Sequence, residues 1–168
     1  ENAGGCEPTC AMHGYGRGRV DAHLGVSPSR DGATGAVTTV IADLPPAVFS
    51  PDRKYRYVLR RRVGMGDRTV LFTMLNPSVA DEERNDPTIR RDIDFANRWG
   101  FGWLVVCNAF AYCATNPEEL SKVDDPVGLE NDAHILREAK AADLVVVAWG
   151  EPGVYLGRSR ALCTLLGG

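Results

Sequence analysis

The sequence predicts an α/β protein, a three-layer α/β/α arrangement around a central, mostly parallel four-stranded sheet. Three observations carry that prediction. The runs 69–75, 103–110 and 144–149 are nearly continuously apolar, as strands buried on both faces are. Segments of helical period lie between them. A shorter alternating segment precedes the first run and supplies the fourth strand.

The elements follow in chain order. Residues 55–60, Tyr-Arg-Tyr-Val-Leu-Arg, alternate in polarity and predict a half-exposed strand. Gly64-Met65-Gly66-Asp67 is a turn. The strand at 69–75 stops at Asn76-Pro77-Ser78. Asp86-Pro87 then marks a helix start, with Asp as N-cap and Pro at the first helical position. This helix is expected to carry Ile89, Ile93, Ala96 and Trp99 inward and Arg90, Arg91, Asp94 and Arg98 outward. Gly100 and Gly102 end it. The strand at 103–110 follows, then Thr115-Asn116-Pro117 and a short helix around 118–122. Residues 131–142 form a second amphipathic helix with Ile135, Leu136 and Ala139 inward. The strand at 144–149 ends at Gly150, and 158–166 are helical.

Residues 1–45 differ in kind. They are rich in glycine, poor in large apolar residues and without period beyond a short run at 37–41. They are expected to be a disordered or irregular arm, with the α/β domain at 46–168. Cys6, Cys10, His13 and His23 match no common zinc-finger spacing, so no metal site is expected. Gly-Arg-Gly-Arg at 16–19 is a local positive spot that reads as soluble linker.

Composition narrows the function classes. The 168 residues suffice for one domain with a sizeable core. Lys+Arg 19 against Asp+Glu 22 excludes a polybasic nucleic-acid coat, though not a local basic patch. No apolar run reaches the roughly 18–20 residues that span a bilayer, and no membrane partner is expected. With no signal peptide visible, the five cysteines read as free thiols in a reducing cytoplasm.

Ligands of open parallel sheets bind beyond the carboxyl ends of the strands. Here those ends offer Asn76-Pro77-Ser78, then Asn108 with Phe110 and Tyr112, then Trp149-Gly150. A buried amide such as Asn108 costs on the order of 1–3 kcal/mol unless partnered. It is either satisfied by neighbouring backbone or kept for a planar ligand, and a flipped nucleobase has the required edges and faces. The loop between the first run and the first helix carries Asp81, Glu82, Glu83 and Asp86, which read as solvated or capping residues or as candidate bases. Backbone amides at the helix start, with Arg90 and Arg91 one turn in, can hold a phosphate. No Walker loop or Gly-x-Gly-x-x-Gly fingerprint follows any strand.

Several ordered motifs carry a resemblance. Met74-Leu75-Asn76-Pro77-Ser78-Val79-Ala80-Asp81-Glu82, Asn85-Asp86-Pro87-Thr88-Ile89-Arg90-Arg91, Trp99-Gly100-Phe101-Gly102, Asn108-Ala109-Phe110-Ala111-Tyr112, Ala114-Thr115-Asn116-Pro117 and Ala148-Trp149-Gly150 resemble the DUF1643 family over about residues 49–160. The order of an Asn-Pro loop, a strand ending in Asn and a strand ending in Trp-Gly is similar, more remotely, to the uracil-DNA glycosylase superfamily. That likeness implies a uracil-DNA glycosylase-like fold. It implies that Asn76 orients the attacking water, that Asn108 reads the base edge, and that Phe110 or Tyr112 stacks on the base. It also implies a closing His-Pro segment that stabilises the departing base. None follows Trp149, and the histidines of the chain are His13, His23 and His134. The expectation there is a truncated chain or a lost activity.

The leading reading is therefore a DNA glycosylase without cofactor that hydrolyses the N-glycosidic bond of a flipped, modified or damaged base. Asn76, Asp81 and Asp86 are its candidate catalytic residues. Asn108, Pro77, Ser78, Phe110, Tyr112, Trp149, Arg90 and Arg91 are its candidate binding residues, with DNA as partner. The alternative is a nucleotide- or DNA-binding module that does not cut. A third reading is a small-molecule hydrolase or transferase using Asp81 or Asp86 with a metal.

Overall fold

A computed structural model describes residues 41–150 and 156–167, all within the unit that begins at Thr39. The expectations for residues 1–40, the cysteine–histidine set and the Gly-Arg repeat included, lie outside the described residues. Five strands form one sheet: β1 (Ala47–Phe49), β2 (Arg56–Arg62), β3 (Thr69–Met74), β4 (Trp103–Asn108) and β5 (Leu144–Ala148), in the order β1-β2-β4-β3-β5. β3 runs parallel to β4 and to β5, whereas β2 is antiparallel to β4 and β1 antiparallel to β2. The expected four strands are thus five. The added strand is the three-residue β1, too short to show a period.

The helices are α1 (Pro87–Arg98), α2 (Asn131–Ala141) and α3 (Leu156–Gly167), with a short 3-10 turn at Pro117–Lys122. Asp86 caps α1 by accepting from the Ile89 amide, with Pro87 in the first turn. α1 covers one face of the sheet, packing Ile89 and Ala96 against Leu59, Val70, Phe72, Leu104 and Val106. α2 and α3 cover the other, placing Ile135 and Leu162 against Val58, Leu71, Val105 and Cys107. Crossovers to opposite faces are what right-handed connections demand when β4 lies on one side of β3 and β5 on the other.

Four expectations change. β2 is buried from Arg56 through Arg60 and not half-exposed. It lies between β1 and β4, and its arginines reach protein acceptors: Arg60 pairs with Glu138 of α2 at 2.6 Å. Its alternation is also broken. Val48 pairs with Val58 but Phe49 pairs with Arg56, leaving Tyr57 as the extra residue of a bulge. Tyr57 and Val58 then both pack on the α2 side. Trp99, expected inside, is 44% exposed and forms a ledge stacked on Phe72 and Phe95. The inward face of α1 instead includes Asp92, which is buried. Finally, β5 is an edge strand and only partly buried, because its outer side has no neighbouring strand among the described residues.

Close backbone approach fixes the opposite end of the sheet. A Cβ on Gly102 would lie 1.5 Å from the Gly66 carbonyl oxygen, and one on Gly64 would lie 2.7 Å from that of Phe101. Glycine is required at both positions.

Candidate functional site

The chain leaves β3 toward α1 on one face and β4 toward α2 on the other. Where neighbouring parallel strands diverge in this way, a crevice opens at their carboxyl ends. Asn76 and Asn108 flank that point. The two exit loops are zipped together there: Ala109 donates to the Met74 carbonyl at 2.7 Å, Phe110 to Leu75 at 2.9 Å and Ala114 to Pro77 at 2.9 Å.

The Asn76 amide belongs to this zip. Its Nδ2 donates to the carbonyls of Ala114 at 2.8 Å and Pro77 at 3.0 Å. Two carbonyl acceptors settle which way the amide points, since only the NH₂ end can serve them. The acceptor Oδ1 is left without a partner among the described residues. A fixed acceptor orients a water but cannot take its proton.

Asn108 is the site's most unusual residue. It is 1% exposed, and neither Nδ2 nor Oδ1 has a hydrogen-bond partner among the described residues. Its register partner on β3 is Met74, which belongs to the α1 side, so the Asn108 side chain shares that face. Its main chain is held separately. Asn131 of α2 donates through Nδ2 to the carbonyls of Asn108 at 2.9 Å and Ala109 at 3.2 Å, and Arg158 donates to Ala109 at 2.7 Å. The end of β4 is thereby fixed without use of the Asn108 amide.

Arg56 is a further buried polar residue of β2, and the sequence reading missed it. The bulge at Tyr57 turns Arg56 to the α1 side. Its main-chain amide donates to the Ala111 carbonyl at 2.9 Å, next to the bridge between Tyr55 and Tyr112. It is 2% exposed. It donates to the Ala80 carbonyl at 2.6 Å, but its Nε is unpartnered and no carboxylate lies within ion-pair distance among the described residues. Burial pulls its pKa down from the usual guanidinium value. The charge of Asp86 favours it and that of Arg61 opposes it, and Arg61 binds neutral acceptors: Asn85 Oδ1 at 2.7 Å and the carbonyls of Asp81 and Arg84.

The other candidates take quieter places. Asp81 Oδ1 accepts from the amides of Glu83 and Arg84 at 2.9 and 2.8 Å, which hold its carboxyl below the usual range. Asp86 caps α1. Pro77 is buried and Ser78 half-buried. Arg90 is exposed and donates to the Asn85 carbonyl; Arg91 is exposed. Phe110 and Trp149 are buried in the apolar cluster on the α2 side, the face opposite the Asn108 side chain. Tyr112 packs edge-on against Tyr55, with ring centroids 5.7 Å apart. The zipped loops thus bring Asn76 and Pro77 together with Ala114, while the aromatic candidates serve packing. Among the described residues no three His, Cys, Asp or Glu side chains gather as a metal site. No helix among them is long and apolar enough to cross a membrane.

The fold and rim define an open α/β protein whose polar groups converge where the chain diverges from two parallel strands. Residues 56–168 match the family described as Protein of unknown function (DUF1643), and the chain belongs to that family. No curated protein and no solved structure matches it.

Proposed function

We propose that the chain is a DNA glycosylase-like hydrolase of uracil-DNA glycosylase-like architecture, acting on a flipped base at the carboxyl rim. The observation that carries this reading is the buried, unpartnered amide of Asn108, whose donor and acceptor match the paired edge of a nucleobase. Asn76 Oδ1 orients a water toward the sugar carbon. The C–N bond breaks with its electron pair leaving on the base. Water adds to the carbon and its proton passes to solvent or to the departing base. A dissociative cleavage of this kind asks little of a general base, which suits an amide. Because Asn108 is buried, entry of a base requires the loop after β3 to lift. Main-chain amides near Ser78, with Arg90 or Arg91, bind the flanking phosphate.

Oligonucleotides bearing varied bases, treated with the protein and then alkali, test the reading. The expected result is strand scission at one base type, falling about 10²–10³-fold in Asn76→Ala. Absence of scission on every base would remove the enzymatic claim.

A second reading, recognition of a nucleotide or DNA without cleavage, is favoured by one observation. The carboxylates of Asp81 and Asp86 are engaged by main-chain amides, which leaves neither poised as a base. Salt-dependent binding of single-stranded DNA without base release selects it.

A further inference from the structure

We infer that the loop between β3 and α1 is a lid over the end of β4, latched shut by the ion pair between Arg53 and Glu82. Strand order carries the first half of the inference. The loop leaves β3 just after Met74, the register partner of Asn108. Its far side is bonded to arginines of β2: Arg56 donates to the Ala80 carbonyl at 2.6 Å, and Arg61 to Asn85 Oδ1 at 2.7 Å and to the carbonyls of Asp81 and Arg84. Arg53, in the turn before β2, holds both carboxylate oxygens of Glu82, at 2.8 and 2.9 Å. β4 lies between β3 and β2. A segment that starts on β3 and is tied to β2 must cross β4. It crosses on the α1 side, because it runs into α1, and the Asn108 side chain lies on that face.

The second half rests on what holds the lid down. Its base is fixed, since Leu75 and Pro77 accept from Phe110 and Ala114, and Asp86 caps α1. Between these points, from Ser78 to Asn85, only Ala80 is buried, and Val79 is 63% exposed. Little apolar surface opposes lifting. Arg56 has its Nε buried without a partner, so lifting lets water reach a guanidinium that the closed form leaves partly unsolvated. The contact with charge on both sides is Arg53–Glu82, and it is exposed, so salt screens it. Access to the end of β4 is thereby sensitive to ionic strength. The inference deepens the proposed function by naming how its site is reached, and it rests on that reading only for what enters. Lid lifting without base release would defeat hydrolysis alone.

Labelling of the full chain carrying Asn108→Cys with iodoacetamide tests it, read residue by residue by mass spectrometry. Position 108 lies beneath the lid. Cys107, wholly buried, faces the α2 side and serves as the control in the same peptide. Position 108 should label about tenfold or more faster than Cys107, since lid lifting is a local opening. Glu82→Gln should speed labelling at 108 by about two- to fivefold and leave Cys107 unchanged. Arg53→Gly should do the same, and it also eases a turn in which Arg53 has a φ of 58°. Raising sodium chloride to about 0.5 M should speed labelling at 108 in the parent but in neither variant. Hydrogen exchange of the chain with Asn108 in place gives a second readout. The lid amides of Asp81, Glu83 and Arg84 should exchange faster in Glu82→Gln, with those of β4 unchanged. The inference is overturned if positions 107 and 108 label at one rate, or if neither substitution changes the rate at 108. Should Asn108→Cys fail to fold, it is overturned if Glu82→Gln leaves lid exchange unchanged.

Discussion

Asn108 and Asp92 are both polar groups buried where apolar ones would stabilise more, yet their positions differ in meaning. Asn108 lies at the carboxyl rim, whereas Asp92 faces inward along α1, between Ile89 and Ala96, with Oδ2 unpartnered. Burial, and then the charge of Asp86, pushes the Asp92 carboxyl up to about 6. A folded-state pKa above the unfolded one means that the native state binds more protons between about pH 4 and 6. Stability therefore falls as pH rises through that window and is level above it. Asp92→Asn should remove this slope, melting about 6–12 °C above the wild type at pH 7.5 and level with it at pH 4; melts across pH check it. The burial of Asn108 was legible in the sequence and that of Asp92 was not. Asn108 was conspicuous inside Val-Val-Cys-Asn-Ala-Phe, but Arg56 looked like the exposed half of an alternating strand. The bulge that inverts its face is a one-residue register shift, which no periodicity reveals.

At the scale of elements, the buried pair between β2 and α2 joins the antiparallel half of the sheet to the helix that covers it. Arg60 donates to Glu138 at 2.6 Å and to the Pro45 carbonyl at 3.0 Å. Removing one partner strands the other. Glu138→Ala should cost about 3–5 kcal/mol in urea unfolding, and Arg60→Met with Glu138→Leu should recover most of it. A double variant as unstable as the single one would show that the pair does more than balance its own burial. The turns at the amino end of the sheet rest on contact and not charge. Gly102→Ala would press a methyl into the Gly66 carbonyl, and loss of about 3 kcal/mol or more, or failure to fold, is expected. Strands β3 and β4 and helices α1 and α2 were readable because apolar runs, a Pro at the first helical position and flanking glycines all agreed. β1 was not, since three residues carry no period. β5 was read as buried on both faces because Leu-Val-Val-Val-Ala has the composition of a central strand, and composition does not say whether a neighbour is present.

For the whole molecule, helices on both faces leave the carboxyl ends of β3 and β4 as the place where main-chain paths diverge, and the unpartnered amide of Asn108 lies at the end of β4. Asn131 and Arg158 fix the backbone of that rim, the Asn76 amide ties its two loops together, and the Asn108 amide is left with both its donor and its acceptor unmet among the described residues. Function at this rim is expected to oppose stability, as it does where a site is kept polar for a ligand. The stability of Asn108→Leu, measured by urea unfolding, tests this without knowledge of the ligand. If the amide serves a ligand, a side chain of similar volume without polar atoms leaves the unfolding free energy within about 1 kcal/mol of the wild type or raises it. A loss of about 2 kcal/mol or more would mean that the amide supports the fold itself, and would contradict the account.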